Sequence, residues 1–143
     1  MRTAILAVLL GTLVLAGCAP APPAQTQEPT ALAGEWVLES FGTPQGMTGV
    51  DPRVPSVIRF VGSEEATGYG GVNAFKTTYS ASGPGKIVFG PISSTKMAGA
   101  SHAMEQEAGF FNALEKARTF ELSENKLVLG DQGNNTLAIL VAK

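Results

Sequence analysis

The sequence predicts an α+β domain: about seven short strands, and one helix over about 101–118 acting as lid to a small barrel or sheet. Two observations carry this. Short apolar runs alternate in and out and are separated by Gly, Pro, Asn and Ser clusters, the pattern of strands and turns. One stretch, and one alone, has helical spacing: Met104, Ala108, Phe111 and Leu114 recur at intervals of four, three and three.

A leader precedes the domain. Met1-Arg2-Thr3 brings one positive charge, and Ala4 to Leu15 is an almost unbroken apolar run. That run is too short for a membrane span of roughly 20 residues and reads as a secretory signal peptide, 1–17. Leu15-Ala16-Gly17-Cys18 resembles the bacterial lipobox. The resemblance implies cleavage before Cys18, diacylglycerol on its thiol and acylation of the new amino terminus. The lipid at Cys18 is then the membrane contact, since each buried CH2 adds about 0.8 kcal/mol of anchoring. Cys18 is the single cysteine, which excludes an intramolecular disulfide. Ala19 stands where an aspartate favours inner-membrane retention. The expected location is the cell envelope, and the outer membrane facing the periplasm if the source is Gram-negative.

Residues 18–31 form a lipidated, Pro-rich tether, with Pro20, Pro22, Pro23 and Pro29 setting φ and removing donors. At ~3.1 Å per residue such a segment holds the domain up to roughly 35 Å from the bilayer. Loss of Arg2 with the leader leaves nine Lys and Arg against twelve Asp and Glu, scattered along the chain. Nucleic-acid binding needs clustered basic residues, so no such partner is expected.

The folded part, 32–143, opens with a strand, Gly34–Phe41, in which Trp36 and Leu38 point inward and Phe41 falls on the other face. Trp36 reads as a core anchor. Gly42 to Pro55 is a long Gly/Pro loop that Met47 and Val50 pin to the core. Ser56–Val61 is the second strand. Tyr69 to Tyr79 reads as one bent central strand, with Gly70 and Gly71 at the bend. Asn73, Phe75, Thr77 and Tyr79 share a face, so an inward Asn73 has to be hydrogen-bonded, to a neighbouring backbone turn. Lys86–Phe89 follows, then an extended run Ile92–Met97. Ser101 is placed as helix N-cap, with Glu105 and Glu107 near the favourable end of the dipole and Lys116 and Arg118 in the last turn. Three short strands close the chain: 119–122, 126–129 and 136–141.

Candidates for chemistry are few. His102 is the single histidine and sits beside the helix start, facing solvent. A catalytic base usually has partners to orient it, and a zinc site needs three or four ligands. Ser93-Ser94-Thr95-Lys96 contains a Ser-x-x-Lys pattern, but no Ser-Asp-Asn or Lys-Thr-Gly accompanies it. These hydroxyls read better as strand-end groups bonding the backbone. Gly68, Gly70 and Gly71 lack the strand-to-helix context of a nucleotide loop. No catalytic, cofactor or metal residue is assigned.

The ordered residues Gly34, Trp36, Leu38, Phe60, Gly70, Gly71, Asn73, Phe75, Tyr79, Ile92, Thr95, Met97, Ala98, Leu127 and Leu129 resemble the META domain, the family of the heat-shock protein HslJ. The resemblance covers nearly all of 32–143. It implies antiparallel strands, a strongly curved sheet or partial barrel around the one helix, with Trp36, Gly70, Gly71, Asn73, Phe75, Tyr79, Thr95 and Met97 as structural motif residues. Relatives often carry cysteines where this chain has Val72 and Gly99, so their redox role or disulfide is excluded here. It also implies an envelope setting, in some members a link to heat stress or antibiotic tolerance, and no established enzyme activity. The lipobox, the proline tether and the lack of a catalytic constellation add the expectation of a non-enzymatic envelope protein that supports envelope integrity or stress tolerance through contacts with another envelope protein. The competing expectations are a small-molecule or peptide binding module, with the 42–55 loop as lid, and an inhibitor of a periplasmic hydrolase.

Overall fold

The computed structural model describes residues 29–43 and 45–143. The segment expected to be a signal peptide, 1–17, and Cys18, the expected lipidation site, lie outside the described residues. A 3-10 turn, Pro29–Leu32, starts the described chain. Leu32 is buried, and its carbonyl accepts a 2.9 Å hydrogen bond from Trp36 Nε1.

Ten strands and one helix follow: β1 Gly34–Thr43, β2 Gly46–Gly49, β3 Val57–Val61, β4 Glu65–Tyr69, β5 Ala74–Ala81, β6 Ile87–Phe89, β7 Ser93–Ser94, α1 Ser101–Lys116, β8 Thr119–Ser123, β9 Lys126–Gly130 and β10 Thr136–Ala142. The principal path is β6-β5-β4-β3-β1-β10-β9-β8, with β2 on β1 and β7 on β5. Every pairing is antiparallel. A bridge between Lys86 and Thr119 brings β6 to β8, so eight strands nearly close into a barrel. The expected α+β architecture, a curved antiparallel sheet on one helix, is what the chain adopts.

One large cluster fills the barrel, and a small second one, Val54, Val72 and Ala103, lies beneath the start of the helix. Trp36, Leu38, Ile58, Phe60, Phe75, Tyr79, Ile87, Phe89, Leu127, Leu129 and Leu140 come from the strands, and Phe110, Ala113, Leu114 and Ala117 from the helix and its end. Phe60 and Tyr79 meet edge to face at 4.9 Å, and Phe75 meets Phe110 and Phe111 at 5.9 and 5.1 Å. These are the offset geometries that aromatic quadrupoles favour.

Four elements differ from the sequence reading. A register shift between Leu38 and Ser40 inserts an extra residue into β1. That bulge reverses the alternation, so Phe41 is buried on the same side as Trp36 and Leu38. The 42–55 stretch is half hairpin: β1 runs on to Thr43 and pairs with β2. Val50 packs on the core, whereas Met47 is exposed. Tyr69 to Tyr79 is two strands, β4 and β5, joined by the 70–73 turn, with Gly70 N–H donating to the Asn73 carbonyl at 2.8 Å. Finally, the helix is capped by Ala100 with no side-chain bond, and Ser101 is already inside it. Its buried residues are Ala103, Gln106, Glu107, Phe110, Ala113 and Leu114, so the inward stripe is rotated back from Met104, Ala108 and Phe111. The reason is polar: two loops beneath the first half of the helix present main-chain groups that need partners.

Candidate functional site

Gln106 and Glu107 are adjacent, both nearly sealed from solvent, and each ties down a different loop. Gln106 Oε1 accepts from Asp51 N–H at 2.9 Å, and its Nε2 donates to the Val54 carbonyl at 2.8 Å and to Ser56 Oγ at 2.9 Å. Ser56 Oγ donates in turn to the Gly70 carbonyl at 2.6 Å. Glu107 Oε2 accepts from the N–H groups of Val72 and Asn73 at 2.9 and 2.6 Å, and Oε1 accepts from Asn73 Nδ2 at 2.7 Å. Among the described residues no cation pairs with this carboxylate. Charge-assisted bonds to N–H donors are short and strong, and three of them take the place of a counter-ion.

Asn73 continues the network outward. Its Oδ1 accepts from Thr95 Oγ1 at 2.8 Å and from Met97 N–H at 2.7 Å, and Nδ2 also donates to the Met97 carbonyl at 3.2 Å. A single buried amide therefore holds helix α1, the 70–73 turn and the 95–97 segment together. Among the described residues no buried side-chain nitrogen or oxygen lacks a partner. The arrangement positions backbone; its oxygens are already occupied.

The glycines of the turn fit this contact. A Cβ on Gly70 would stand 2.7 Å from Glu107 Cγ and Oε2 and 2.8 Å from Phe111 Cζ. Gly71 has φ +136°, a conformation that side chains resist.

The other motif residues take up separate positions. Trp36 and Phe75 are core. Tyr79 is buried and its hydroxyl donates to the Gly62 carbonyl at 2.7 Å; burial raises its pKa. Thr95 and Met97 meet Asn73, Met97 through its main chain while its side chain is 56% exposed. Ser93 and Lys96 do not come together: Lys96 Nζ lies 3.5 Å from Ser94 Oγ, on an extended segment. His102 is largely exposed, with Nε2 3.8 Å from Asp51 Oδ2. Asp51 is held instead by Arg53, whose guanidinium and main-chain N–H lower its pKa to about 2. Among the described residues no three His, Cys, Asp or Glu side chains gather as metal ligands.

Gln106, Ser56 and Asp51 are given no site role by the sequence reading, and Glu107 only that of a charge near the start of the helix. The signal available was the stripe itself. Ala103, Phe110, Ala113, Leu114 and Ala117 give a better helical stripe than the outer one, and it passes through a Gln-Glu pair.

Beside the network runs an open trough of about 390 Å³, between the 94–98 segment and the Met104, Ala108 and Phe111 face of α1.

The sequence matches the family model of the META domain over residues 30–143. The chain belongs to the META domain family. The META barrel also resembles two solved structures. One is the NMR structure of a protein from Burkholderia xenovorans, with TM-score 0.65, 20% identity, and coverage of 92% of this chain and 99% of that one. The other is the crystal structure of a DUF4847 family protein from Bacteroides vulgatus, with TM-score 0.56, 17% identity, and coverage of 78% and 94%. At these identities the likeness concerns the fold. No curated protein matches the sequence. Within the META domain of this chain, Val72 and Gly99 touch: a Cβ on Gly99 would lie 2.6 Å from Val72 Cγ2. Valine fills the space that its glycine neighbour leaves.

Proposed function

We propose that this chain is a membrane-anchored envelope lipoprotein whose META domain is non-enzymatic and supports envelope integrity or stress tolerance through protein contacts. One observation carries the reading. The most concentrated polar cluster, Glu107 with Asn73, commits its oxygens to main-chain and side-chain donors of the fold. The aromatic cluster that fills the barrel supports it too, because recognition is then a matter for the outer surface. The lipobox ending at Cys18 and the proline tether support the anchoring.

The test is a deletion strain complemented with the wild-type chain or with Cys18→Ser. The reading expects raised novobiocin sensitivity and poorer heat survival on deletion, with no rescue by Cys18→Ser. Crosslinking in the native envelope then identifies the partner. Unchanged permeability, drug sensitivity and heat survival in the deletion strain would overturn the reading.

A second reading, inhibition of a periplasmic hydrolase, is favoured by the β1–β2 hairpin, whose strand Gly46–Gly49 is exposed throughout and carries the exposed apolar Met47. Shortening that hairpin abolishes capture of a hydrolase if this reading holds.

A further inference from the structure

The barrel wall has an unfinished edge. β6 reaches β8 through the Lys86–Thr119 bridge, and beyond Phe89 the chain runs on along β5 as β7. Among the described residues no strand lies on the other side of β7. Thr95 N–H donates to the Ala74 carbonyl at 3.0 Å, and Ser94 stands opposite Phe75. Main-chain groups alternate in direction along an antiparallel strand, so those of Ser94 face away from β5. Met97 turns its own N–H and carbonyl to Asn73, which leaves Lys96, between Thr95 and Met97, facing outward like Ser94.

This edge is one wall of the trough. The other is mostly apolar: Met104, Ala108 and Phe111 of α1, continued by Met97 and Ala98, with Glu107 at its base turned to Asn73 and the 70–73 turn. Met97 is 56% exposed and Met104 37%. Lys96 stands at the rim and, among the described residues, pairs with no carboxylate, whereas Lys76 nearby is held by Glu65 at 2.9 Å.

We propose that this trough takes an extended peptide strand of a partner envelope protein, adding it to the barrel at β7. The peptide pairs with the main chain of Ser94 and Lys96. It places one apolar side chain among Met97, Met104 and Phe111 and an acidic residue against Lys96. Strand addition obtains affinity from main-chain bonds and specificity from pockets for alternate side chains. Thioethers suit such a pocket because they adapt to different apolar shapes. The charge selects the occupant. A lysine on a sheet edge blunts pairing with a second copy, which would oppose two Lys96 ammonium groups, and attracts an acidic strand. The proposal rests on the reading that the domain acts through protein contacts.

The test pans randomised peptides of about seven residues, the length of an ordinary strand, against the full chain. Selected peptides are expected to alternate apolar and polar residues and to carry Asp or Glu. They should shift the amide NMR signals of Ser94 and Lys96 and the methyl signals of Met97 and Met104. N-methylation of alternate peptide amides, Lys96→Glu and Met104→Glu should each weaken binding by about tenfold or more. Lys96 and Met104 are exposed, so both variants keep the fold, which an unchanged amide spectrum verifies. No enrichment, or binding that survives N-methylation and both variants, overturns the proposal. Occupation of the trough by a peptide of residues 19–28, or by self-association that Lys96→Glu abolishes, overturns the partner assignment. A bound peptide with no phenotype on deletion removes the envelope reading and leaves the strand site. A crosslinked partner held through another face does the reverse.

Discussion

Glu107 Oε1 accepts a 2.7 Å hydrogen bond from Asn73 Nδ2, joining the second turn of the helix to the residue before β5. The same carboxylate accepts two main-chain N–H groups of the turn. Stranding buried donors costs about 1–3 kcal/mol each. Glu107→Ala is therefore expected to lower stability by about 3 kcal/mol or more, and Glu107→Gln by less, because one oxygen remains while the new amide opposes a donor. Asn73→Ala should fall near Glu107→Ala and be strongly non-additive with it, as members of one network are. Urea denaturation of the wild type, the three single variants and the Glu107→Ala/Asn73→Ala double variant checks this. Additive losses would show that the two residues act separately.

The turn itself is built for that contact. Gly70→Ala drives a methyl against Glu107 and Phe111, and the flanking strands pair on both sides of it. Overpacking of this kind costs about 1–3 kcal/mol. Gly71→Ala adds strain at φ +136° with a 3.0 Å approach to Val54 Cγ1. Both should lower the melting temperature, and Phe111→Ala should partly restore Gly70→Ala while leaving Gly71→Ala unimproved. Equal rescue of both would refute the steric account.

Much of this fold is legible in the residues. Trp36 and Leu38, the edges of β3, β6, β9 and β10, and an inward, hydrogen-bonded Asn73 all follow from alternation and from the demand that buried amides be satisfied. Glu107 is not legible, because a glutamate near a helix start reads as a solvated charge aiding the dipole. What buries it is the 70–73 turn, which arrives from 34 residues away. The bulge in β1 is hidden for a similar reason: nothing in Leu38-Glu39-Ser40 marks an extra residue, and the register is set by β10. The β1–β2 hairpin is obscured by its glycines and proline, which local reasoning assigns to a loop.

Val72 and Gly99 make a prediction possible about a bond this chain lacks. A Cβ at 99 would sit 3.3 Å from Val72 Cβ, slightly inside the usual disulfide spacing of about 3.5–4.5 Å. Val72→Cys with Gly99→Cys removes the valine methyls that crowd the site, so the pair should oxidise in air. The bridge should raise stability by about 2–4 kcal/mol, reversed by dithiothreitol. Gly99→Cys alone should destabilise, since Val72 stays in the way. Thiols that remain open to alkylation in the double variant would contradict the geometry.

Asp51 gives the domain an acid-sensitive contact. Its carboxylate accepts from Arg53 Nε, Nη2 and N–H at 3.0, 2.8 and 2.9 Å, while its own N–H donates to Gln106 Oε1. Arg53 is the main cause of a pKa lowered from 3.8 to about 2. A carboxyl group whose folded pKa is depressed takes up protons more readily when unfolded, so its stabilisation is complete above pH 3.8 and is lost as pH falls toward about 2. Asp51→Asn should flatten the fall in melting temperature across that window and leave the curve above it nearly parallel to wild type. Arg53→Ala should move the Asp51 carboxyl titration, followed by NMR, back up toward 3.8. The Arg53 side chain is 86% exposed, so both effects should shrink in high salt. An acid limb unchanged by Asp51→Asn would assign the sensitivity to another carboxylate, with Glu35 between Lys143 and Arg59 the next to test, its pKa lowered in the same direction.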